Sequence, residues 1–151
     1  MLPMRNHIST DLRNLVATRA RRLCEYCLVH EDDAYFGCEV DHIISLKHGG
    51  ATSAENLAYA CVFCNRQKGS DVGSVLWQSG AFIRFFNPRT DGWAEHFRLD
   101  GVVITPISEI GEVTTRILGF NDVDRVLERQ ELADLKRYPT ALALEHMVNK
   151  T

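Results

Sequence analysis

The sequence has no apolar run that approaches the roughly 18 residues needed for a membrane-spanning helix. Its opening residues, MLPMRNHISTDLRN, also lack the continuous apolar segment of a secretory signal peptide. Internal repeats, low-complexity tracts and obvious flexible linkers are missing as well. We therefore expect a cytoplasmic protein that has no membrane partner and no repeat architecture.

Cysteine occurs in an odd number, five. In a reducing cytoplasm such cysteines are metal ligands or free thiols more often than disulfides, and an odd number leaves at least one of them without a partner. The sequence therefore argues against a disulfide scaffold.

An excess of positive charge is also missing, because the formal net charge is −3 at pH 7. Proteins that bind nucleic acid usually carry a basic surface. The basic side chains here do cluster, before the first cysteine pair and around the second: Arg13, Arg19, Arg21, Arg22, Lys47, Arg66 and Lys68. The charge-rich segment 122–137, by contrast, is typical of a solvated helix face. A local basic surface thus remains compatible with nucleic-acid binding.

The length of 151 residues suits one domain, or one domain with an extension. Hydrophobic residues make up 45% and charged residues 25%, as in ordinary globular proteins. Apolar residues at helical spacing predict a helix over 9–23, with Ser9 or Thr10 as its N-cap. A β-rich segment over 36–46 and a short helix near Ser53 follow.

Beyond residue 73 the residue pattern of the sequence changes. Short β-forming segments, separated in part by turn residues, predict a small antiparallel appendage at 81–86, 96–99, 102–105 and 114–118. A helix over 122–138, capped by Asn121, is predicted next. Pro139 is expected to start a last short helix.

Two C-x2-C pairs carry the clearest chemical signal: Cys24 with Cys27, and Cys61 with Cys64. This spacing lets two thiolates from one tight turn reach the same tetrahedral ion. One such pair alone is also compatible with a redox dithiol, but two pairs favour a structural Zn²⁺ site with four thiolate ligands. His30 and Cys38 lie outside the pairs, so we expect a surface histidine and an ordinary buried thiol there.

The 33 residues between Cys27 and Cys61 exceed the spacer of a simple zinc ribbon, so the metal must clamp a folded insert. Zinc in such sites contributes on the order of 10 kcal/mol to folding, which makes it a scaffold for the side chains between the pairs. Because four thiolates close its coordination sphere, this ion cannot activate water. Hydrolysis would require a second metal.

Four ordered motifs occupy the insert and the second cysteine pair: EVDHII at 39–44, HGG at 48–50, ENL at 55–57 and CNRQKG at 64–69. Together with the first cysteine pair they closely resemble the HNH endonuclease family of ββα-metal nucleases, over about residues 23–70. The resemblance implies a β-hairpin followed by a helix that begins near Cys61, with the hydrolytic site between them.

The same resemblance implies a role for each motif residue. His42 is the expected general base, since a neutral imidazole can accept a proton from water. Asp41 and Asn65 are the expected ligands of a catalytic Mg²⁺ or Mn²⁺, because hard cations prefer oxygen donors. Asn56 is expected to hold the loop backbone so that His42 points at the phosphate. The products would carry 5′-phosphate and 3′-hydroxyl ends.

Some residues of the motifs admit a second interpretation. Arg66 and Lys68 are candidate phosphate contacts, although either could equally be a solvated helix residue. Many family members carry histidine where this sequence has Asn65, so an altered metal preference is expected. His48, beside the Gly-Gly turn, and His96, in a strand-like segment, are interpreted as surface or packing residues.

The leading hypothesis is a metal-dependent endonuclease that cuts nucleic acid, with double-stranded DNA as the expected partner and a homodimer as one way to cut both strands. A noncatalytic zinc module that binds nucleic acid or protein is the alternative, and a thiol redox protein is the third. The expected fold is α+β, with a zinc-stabilised ββα-metal core and N-terminal helix over 1–73. An extension of short antiparallel strands and helices over 74–151 is expected to pack on this core.

Overall fold

Six α-helices, three antiparallel strand pairs and two short 3-10 turns make up the part of the chain that the computed structural model describes, residues 7–148. This mixture confirms the expected α+β class. Within residues 7–148, no helix has the length and apolar character required to cross a membrane.

The first helix, α1, spans Thr10–Arg19 and begins where the sequence predicts. The Ser9 hydroxyl accepts a hydrogen bond of 3.1 Å from the Leu12 backbone N–H, which satisfies one of the free donors of the first turn. The helix ends before the predicted residue 23, because Arg21 and Arg22 adopt positive φ angles of 53° and 61°. Right-handed helical backbone does not permit these angles.

A ββα unit follows the first cysteine pair. Strand β1 (Cys38–His42) pairs antiparallel with β2 (Leu57–Cys61), so that Asp41 lies opposite Ala58. Helix α2 (Val62–Lys68) starts directly after β2. Strand β2 is buried along its whole length because α1 and α2 both pack against it. The expected core of a hairpin followed by a helix is thereby confirmed.

The connection between β1 and β2 contains two 3-10 turns, Leu46–His48 and Ala54–Asn56. The predicted short helix of this region is the second of these turns. Gly49 ends the first turn with a φ of 84°, a left-handed conformation that glycine adopts without strain. The next residue, Gly50, has no room for a side chain, since an added Cβ would lie 1.7 Å from the Ile44 carbonyl oxygen.

The rest of the described chain forms two hairpins and four helices. The strands are β3 (Gly73–Val75) with β4 (Phe82–Arg84), and β5 (Phe97–Asp100) with β6 (Val103–Pro106). The helices are α3 (Trp93–His96), α4 (Glu109–Ile117), α5 (Val123–Asp134) and α6 (Ala141–Val148). The predicted extension of short antiparallel strands and helices is confirmed.

The strand predicted at 114–118 is wrong, because these residues form the end of helix α4. Ser108 caps this helix, and its hydroxyl accepts a hydrogen bond of 2.9 Å from the Gly111 N–H. Val113 and Thr114 are buried where α4 packs against β6. The cap and the packing outweigh the β propensity of the branched side chains.

Helix α5 differs from its prediction at both its cap and its surface. The Asn121 side chain does not cap it but accepts from the Ile104 N–H at 3.0 Å and donates to the Ile104 carbonyl at 2.8 Å. Arg125 and Arg129 are only 7% and 1% exposed, and Arg129 Nε donates to the Val102 carbonyl at 2.7 Å. The prediction of a solvated charged face is therefore wrong for these two arginines, because buried protein acceptors replace water around them.

The extension shares one hydrophobic core with the front of the chain. Tyr26 lies in the same buried cluster as Phe97. The Trp93 indole N–H donates to the Tyr26 carbonyl at 2.9 Å, and the Tyr138 hydroxyl donates to the Cys27 carbonyl at 2.8 Å. These contacts join the extension directly to the first cysteine pair.

Candidate functional site

The four paired cysteines converge at one point. Their sulfur atoms all lie within 4.8 Å of one another, and all four side chains are buried: Cys24, Cys27, Cys61 and Cys64. The sulfur atoms of Cys27 and Cys61 are 3.8 Å apart. Four thiolates bound to one Zn²⁺ at about 2.3 Å would be separated by about 3.8 Å in a tetrahedron, so these residues fit the ion. His30 and Cys38 are not part of the group.

Backbone donors support each cysteine pair. In the first pair, the Cys27 N–H donates to the Cys24 sulfur at 3.4 Å, and in the second, the Cys64 N–H donates to the Cys61 sulfur at 3.4 Å. Such donors favour negative charge on sulfur. Hydrogen bonding with the Cys24 sulfur also lowers the pKa of Cys27 well below its usual value. Burial, by contrast, raises the pKa values of Cys24 and Cys64, so a bound cation is needed to stabilise negative charge on all four sulfur atoms.

One residue of the extension completes the surroundings of the cysteines. Arg125 Nη2 lies 3.4 Å from the Cys64 sulfur and 3.8 Å from the Cys61 sulfur. Burial by itself lowers the pKa of Arg125, but the charge on the Cys64 sulfur raises it above its usual range. Since zinc with four thiolates carries a net charge of about −2, a buried guanidinium offsets part of the cost of enclosing that charge.

A second group of predicted site residues lies at the other end of the β-hairpin. Asp41, His42 and Asn65 line one open cleft with a volume of about 350 Å³. The remaining wall is formed by Val40, Ser45, Leu46, Lys47, Gly69 and Ser70. The structure thus brings together the three residues to which the resemblance assigns hydrolysis, while their roles remain predictions.

Asp41 is only 4% exposed, and its carboxylate has two partners. The Tyr26 hydroxyl donates to Oδ2 at 2.9 Å, and Lys68 Nζ lies 3.3 Å from Oδ1 and 3.2 Å from Oδ2. Burial raises the pKa of Asp41, whereas Lys68 and the Tyr26 hydroxyl act in the opposite direction. Together these contacts hold the carboxylate in one orientation.

His42 has a different environment, because successive residues of a strand face opposite sides of the sheet. Its Nε2 lies 2.9 Å from the Thr52 hydroxyl oxygen. Burial lowers the pKa of His42 below its ordinary value of 6.5, although the charge on Asp41 partly opposes this shift. The ring is therefore neutral at pH 7 and can accept a proton.

Asn65 is oriented by a carboxylate of β1. Its Nδ2 donates to Glu39 Oε1 at 2.9 Å. With the amide nitrogen engaged, the amide oxygen is the atom that can coordinate a cation. Glu39 and Asp41 stand two residues apart on β1, so both side chains project from the same face of the strand. Both of them contact α2.

Asn56 contacts the backbone of the loop that follows β1. Its Oδ1 accepts from the Ile44 N–H at 2.9 Å, and its Nδ2 donates to the carbonyls of Ile44 and Ala51 at 2.9 and 2.8 Å. These three hydrogen bonds tie together the two ends of the loop beside His42. A loop-holding role for Asn56 is what the resemblance implies.

The two predicted phosphate contacts on α2 lie in different environments. Arg66 is exposed, and its guanidinium carbon lies 5.9 Å from the centre of the Phe36 ring. Lys68 is 1% exposed and bound to Asp41 and to the His42 carbonyl. In this arrangement Lys68 is neither a surface phosphate contact nor a solvated helix residue, because the buried carboxylate draws its charge inward.

Residues 24–71 match the model of the HNH endonuclease family. We therefore call this segment the HNH domain. It covers roughly a third of the 151-residue chain and includes both cysteine pairs and every residue that lines the cleft. The resemblance found in the motifs is thereby confirmed. No match was found among curated proteins or among solved structures.

Four side chains that support the HNH domain were not singled out from the sequence: Tyr26, Glu39, Thr52 and Arg125. The two-residue spacing from Asp41 is a signal that could have identified Glu39. Tyr26 has only its position between the two cysteines of the first pair. Thr52 and Arg125 have no local signal, since their partners His42 and Cys64 lie 10 and 61 residues away.

Proposed function

We propose that the HNH domain hydrolyses phosphodiester bonds of nucleic acid, with double-stranded DNA as substrate, and that it requires Mg²⁺ or Mn²⁺. The observation that carries this proposal is the shared cleft of Asp41, His42 and Asn65. A carboxylate, an imidazole and an amide oxygen around one open space are the groups that metal-assisted hydrolysis needs.

His42 acts as the general base in this proposal. Its pKa is lowered by burial, so the ring is neutral and basic at pH 7. In this role His42 carries its proton on Nε2 and donates it to the Thr52 hydroxyl oxygen, so that Nδ1 takes the proton from water. The Asn56 hydrogen bonds keep the following loop, and with it His42, in position.

Asp41 and Asn65 would hold the divalent cation through a carboxylate oxygen and the amide oxygen. When bound, such an ion polarises the phosphodiester and stabilises charge on the leaving 3′ oxygen. Hydrogen bonds orient both ligand side chains. Tyr26 binds the Asp41 carboxylate, and Glu39 binds the Asn65 amide nitrogen. Arg66, an exposed arginine on α2, is the candidate phosphate contact, although its side chain lies outside the cleft lining.

Plasmid cleavage with Mg²⁺ or Mn²⁺ tests this function. We expect His42→Ala to reduce the cleavage rate by about 10²- to 10⁴-fold, which is the range for loss of a general base. His48→Ala is the matched control, because this exposed histidine lies in the same loop and outside the cleft lining. Equal cutting by the wild type and His42→Ala would remove His42 from the mechanism.

A noncatalytic zinc module that binds nucleic acid or protein is the second candidate function. The net charge of −3 and the engagement of Asp41 by Lys68 favour it. Under this alternative, the protein would retain duplex without cleaving it in the presence of Mg²⁺, Mn²⁺ and other divalent ions. Single-strand and duplex substrates assayed side by side would then reveal binding without products.

A further inference from the structure

Lys68 is the most unusual side chain beside the cleft. Lysine is almost never fully buried unless its charge is paired, and Lys68 is 1% exposed. Its ammonium group is surrounded by three oxygen atoms, at 3.3 and 3.2 Å from the Asp41 carboxylate and at 2.9 Å from the His42 carbonyl. The Lys68 ammonium group thus lies at a point where three oxygen atoms converge, as they would around a bound metal cation.

The position of Lys68 is set by structure on both sides of the helix end. Helix α2 stops directly after it, at Gly69, whose φ of 54° turns the backbone away. Ser45 Oγ then donates to the Ser70 carbonyl at 3.2 Å, which ties the segment after α2 to the loop after β1. Lys68 therefore has little freedom to leave Asp41 for the solvent.

The charges at the cleft follow from this pairing. Lys68 neutralises Asp41, while Asn65 adds no charge. The nearby Glu39 carboxylate has a neutral partner, the Asn65 amide, so its negative charge is opposed by Lys47 in the cleft wall and not by Asn65. Without nucleic acid, a divalent cation that approaches Asp41 therefore meets a carboxylate whose charge is already neutralised. The Lys68 ammonium group also repels the cation.

A phosphodiester in the cleft changes this balance, because it brings one negative charge and further oxygen ligands. Mg²⁺ sites in proteins are commonly completed by substrate phosphate rather than by protein groups alone. We propose that Lys68 makes divalent-cation binding at Asp41 dependent on bound nucleic acid, so that the cleft acquires its metal together with its substrate. This inference rests on the proposed function and concerns the regulation of the same site.

Calorimetry of Mn²⁺ binding to the zinc-loaded protein tests the inference without an activity measurement. His42→Ala serves as the parent, so that a short DNA duplex stays intact during the titration. We expect the duplex to tighten Mn²⁺ binding by the parent by about tenfold or more. Adding Lys68→Met should tighten Mn²⁺ binding in the absence of duplex by about tenfold and remove most of the effect of the duplex.

Lys136→Met in the same parent is the matched control, because it makes the same substitution at an exposed lysine outside the cleft lining. It should leave Mn²⁺ binding without duplex unchanged. Zinc content and far-UV circular dichroism report whether each variant folds, and Lys68→Gln replaces Lys68→Met if the latter does not. Binding by the Lys68 variant that is equal to or weaker than that of the parent would overturn the inference, as would a duplex without effect on the parent.

Asp41→Asn distinguishes this inference from the function on which it rests. If Asp41 is a ligand, the substitution weakens Mn²⁺ binding both with and without duplex. Unchanged Mn²⁺ binding by Asp41→Asn would refute the proposed metal site itself. Loss of binding in Asp41→Asn together with no gain in the Lys68 variant would refute only the role given to Lys68.

Discussion

The HNH domain and the extension that follows it differ in how their side chains find their partners. In the HNH domain, the cysteine pairs and the cleft residues sit in short motifs on β1, β2, α2 and the turns next to them. In the extension, three side chains reach across to the cysteine pairs: Trp93 and Tyr138 contact the turn of the first pair, and Arg125 contacts Cys64 of the second. The cleft residues thus lie within one segment of the sequence, 40–70, whereas the support of the four-cysteine site comes from residues far along the chain.

Removal of zinc should have the largest effect, and it tests whether the HNH domain and the extension unfold together. Zinc contributes on the order of 10 kcal/mol in small sites, so Cys61→Ser should unfold the HNH domain. Because the extension and the HNH domain share one core, we expect the extension to lose order as well. Circular dichroism and tryptophan fluorescence measure this loss. Cys38→Ser, outside the cluster, is the control. A native extension in Cys61→Ser would show that it folds independently.

Trp93→Ala should have the next largest effect, and it tests the shared core from the side of the extension. Trp93 is 2% exposed and donates to the Tyr26 carbonyl, so its truncation should cost about 3–5 kcal/mol. Chemical denaturation measures this loss. Trp77→Ala removes a tryptophan that is 78% exposed and should leave the free energy of unfolding nearly unchanged. Equal losses for the two variants would contradict the shared core.

Arg125→Met tests the contact between the extension and the sulfur atoms of the second cysteine pair. The substitution leaves the charged zinc cluster without its buried guanidinium, which should cost about 3 kcal/mol and speed zinc loss to a chelator. Zinc release is followed with a chromogenic chelator, and the cobalt-substituted protein reports the sulfur ligands by absorption. Arg116→Met, in α4 of the extension and outside the four-cysteine group, is the control. Unaltered zinc release by Arg125→Met would limit Arg125 to ordinary packing.

Tyr26→Phe tests a connection inside the HNH domain, between the first cysteine pair and the cleft. It removes the 2.9 Å hydrogen bond to the Asp41 carboxylate and should cost about 1.5–2 kcal/mol of stability, as for a hydrogen bond to a charged group. If the hydroxyl orients Asp41, the dependence of cleavage on Mg²⁺ concentration should also shift to higher concentrations. Tyr35→Phe, at a side chain that is 78% exposed, should change neither quantity. A stability loss without a shift in Mg²⁺ dependence would confine Tyr26 to packing.

The pH dependence of cleavage should show the smallest effect. His42 must be neutral to act as a base, and the neutral fraction falls as the pH drops through its pKa. Because burial lowers that pKa below 6.5, activity should persist at mildly acidic pH and decline with a midpoint under 6.5. Initial rates measured from pH 5 to 8 check this, with zinc content monitored at each pH because thiolates compete for protons. A midpoint above 6.5 would contradict the assigned environment of His42.

Predictions from the sequence succeeded where the signal and the partner lie close together along the chain. The Ser9 cap and the start of α2 after Cys61 are examples. They failed where packing decided the outcome: the β-branched run 114–118 forms the end of a helix, and Asn121 binds Ile104 and does not cap α5. A local pattern cannot reveal which neighbouring surface a segment will meet, so propensity was overruled in both cases.

The order of the motifs and the spacing of the two cysteine pairs are properties of the sequence, and they determined the family and the expected zinc ligands. The pairing of Lys68 with Asp41, 27 residues away, and the approach of Arg125 to Cys64, 61 residues away, depend on how the chain folds. The physical reason is burial. A charged side chain that leaves water must take whichever opposite charge the folded chain brings within reach, and that partner is set by packing and not by neighbours in the sequence.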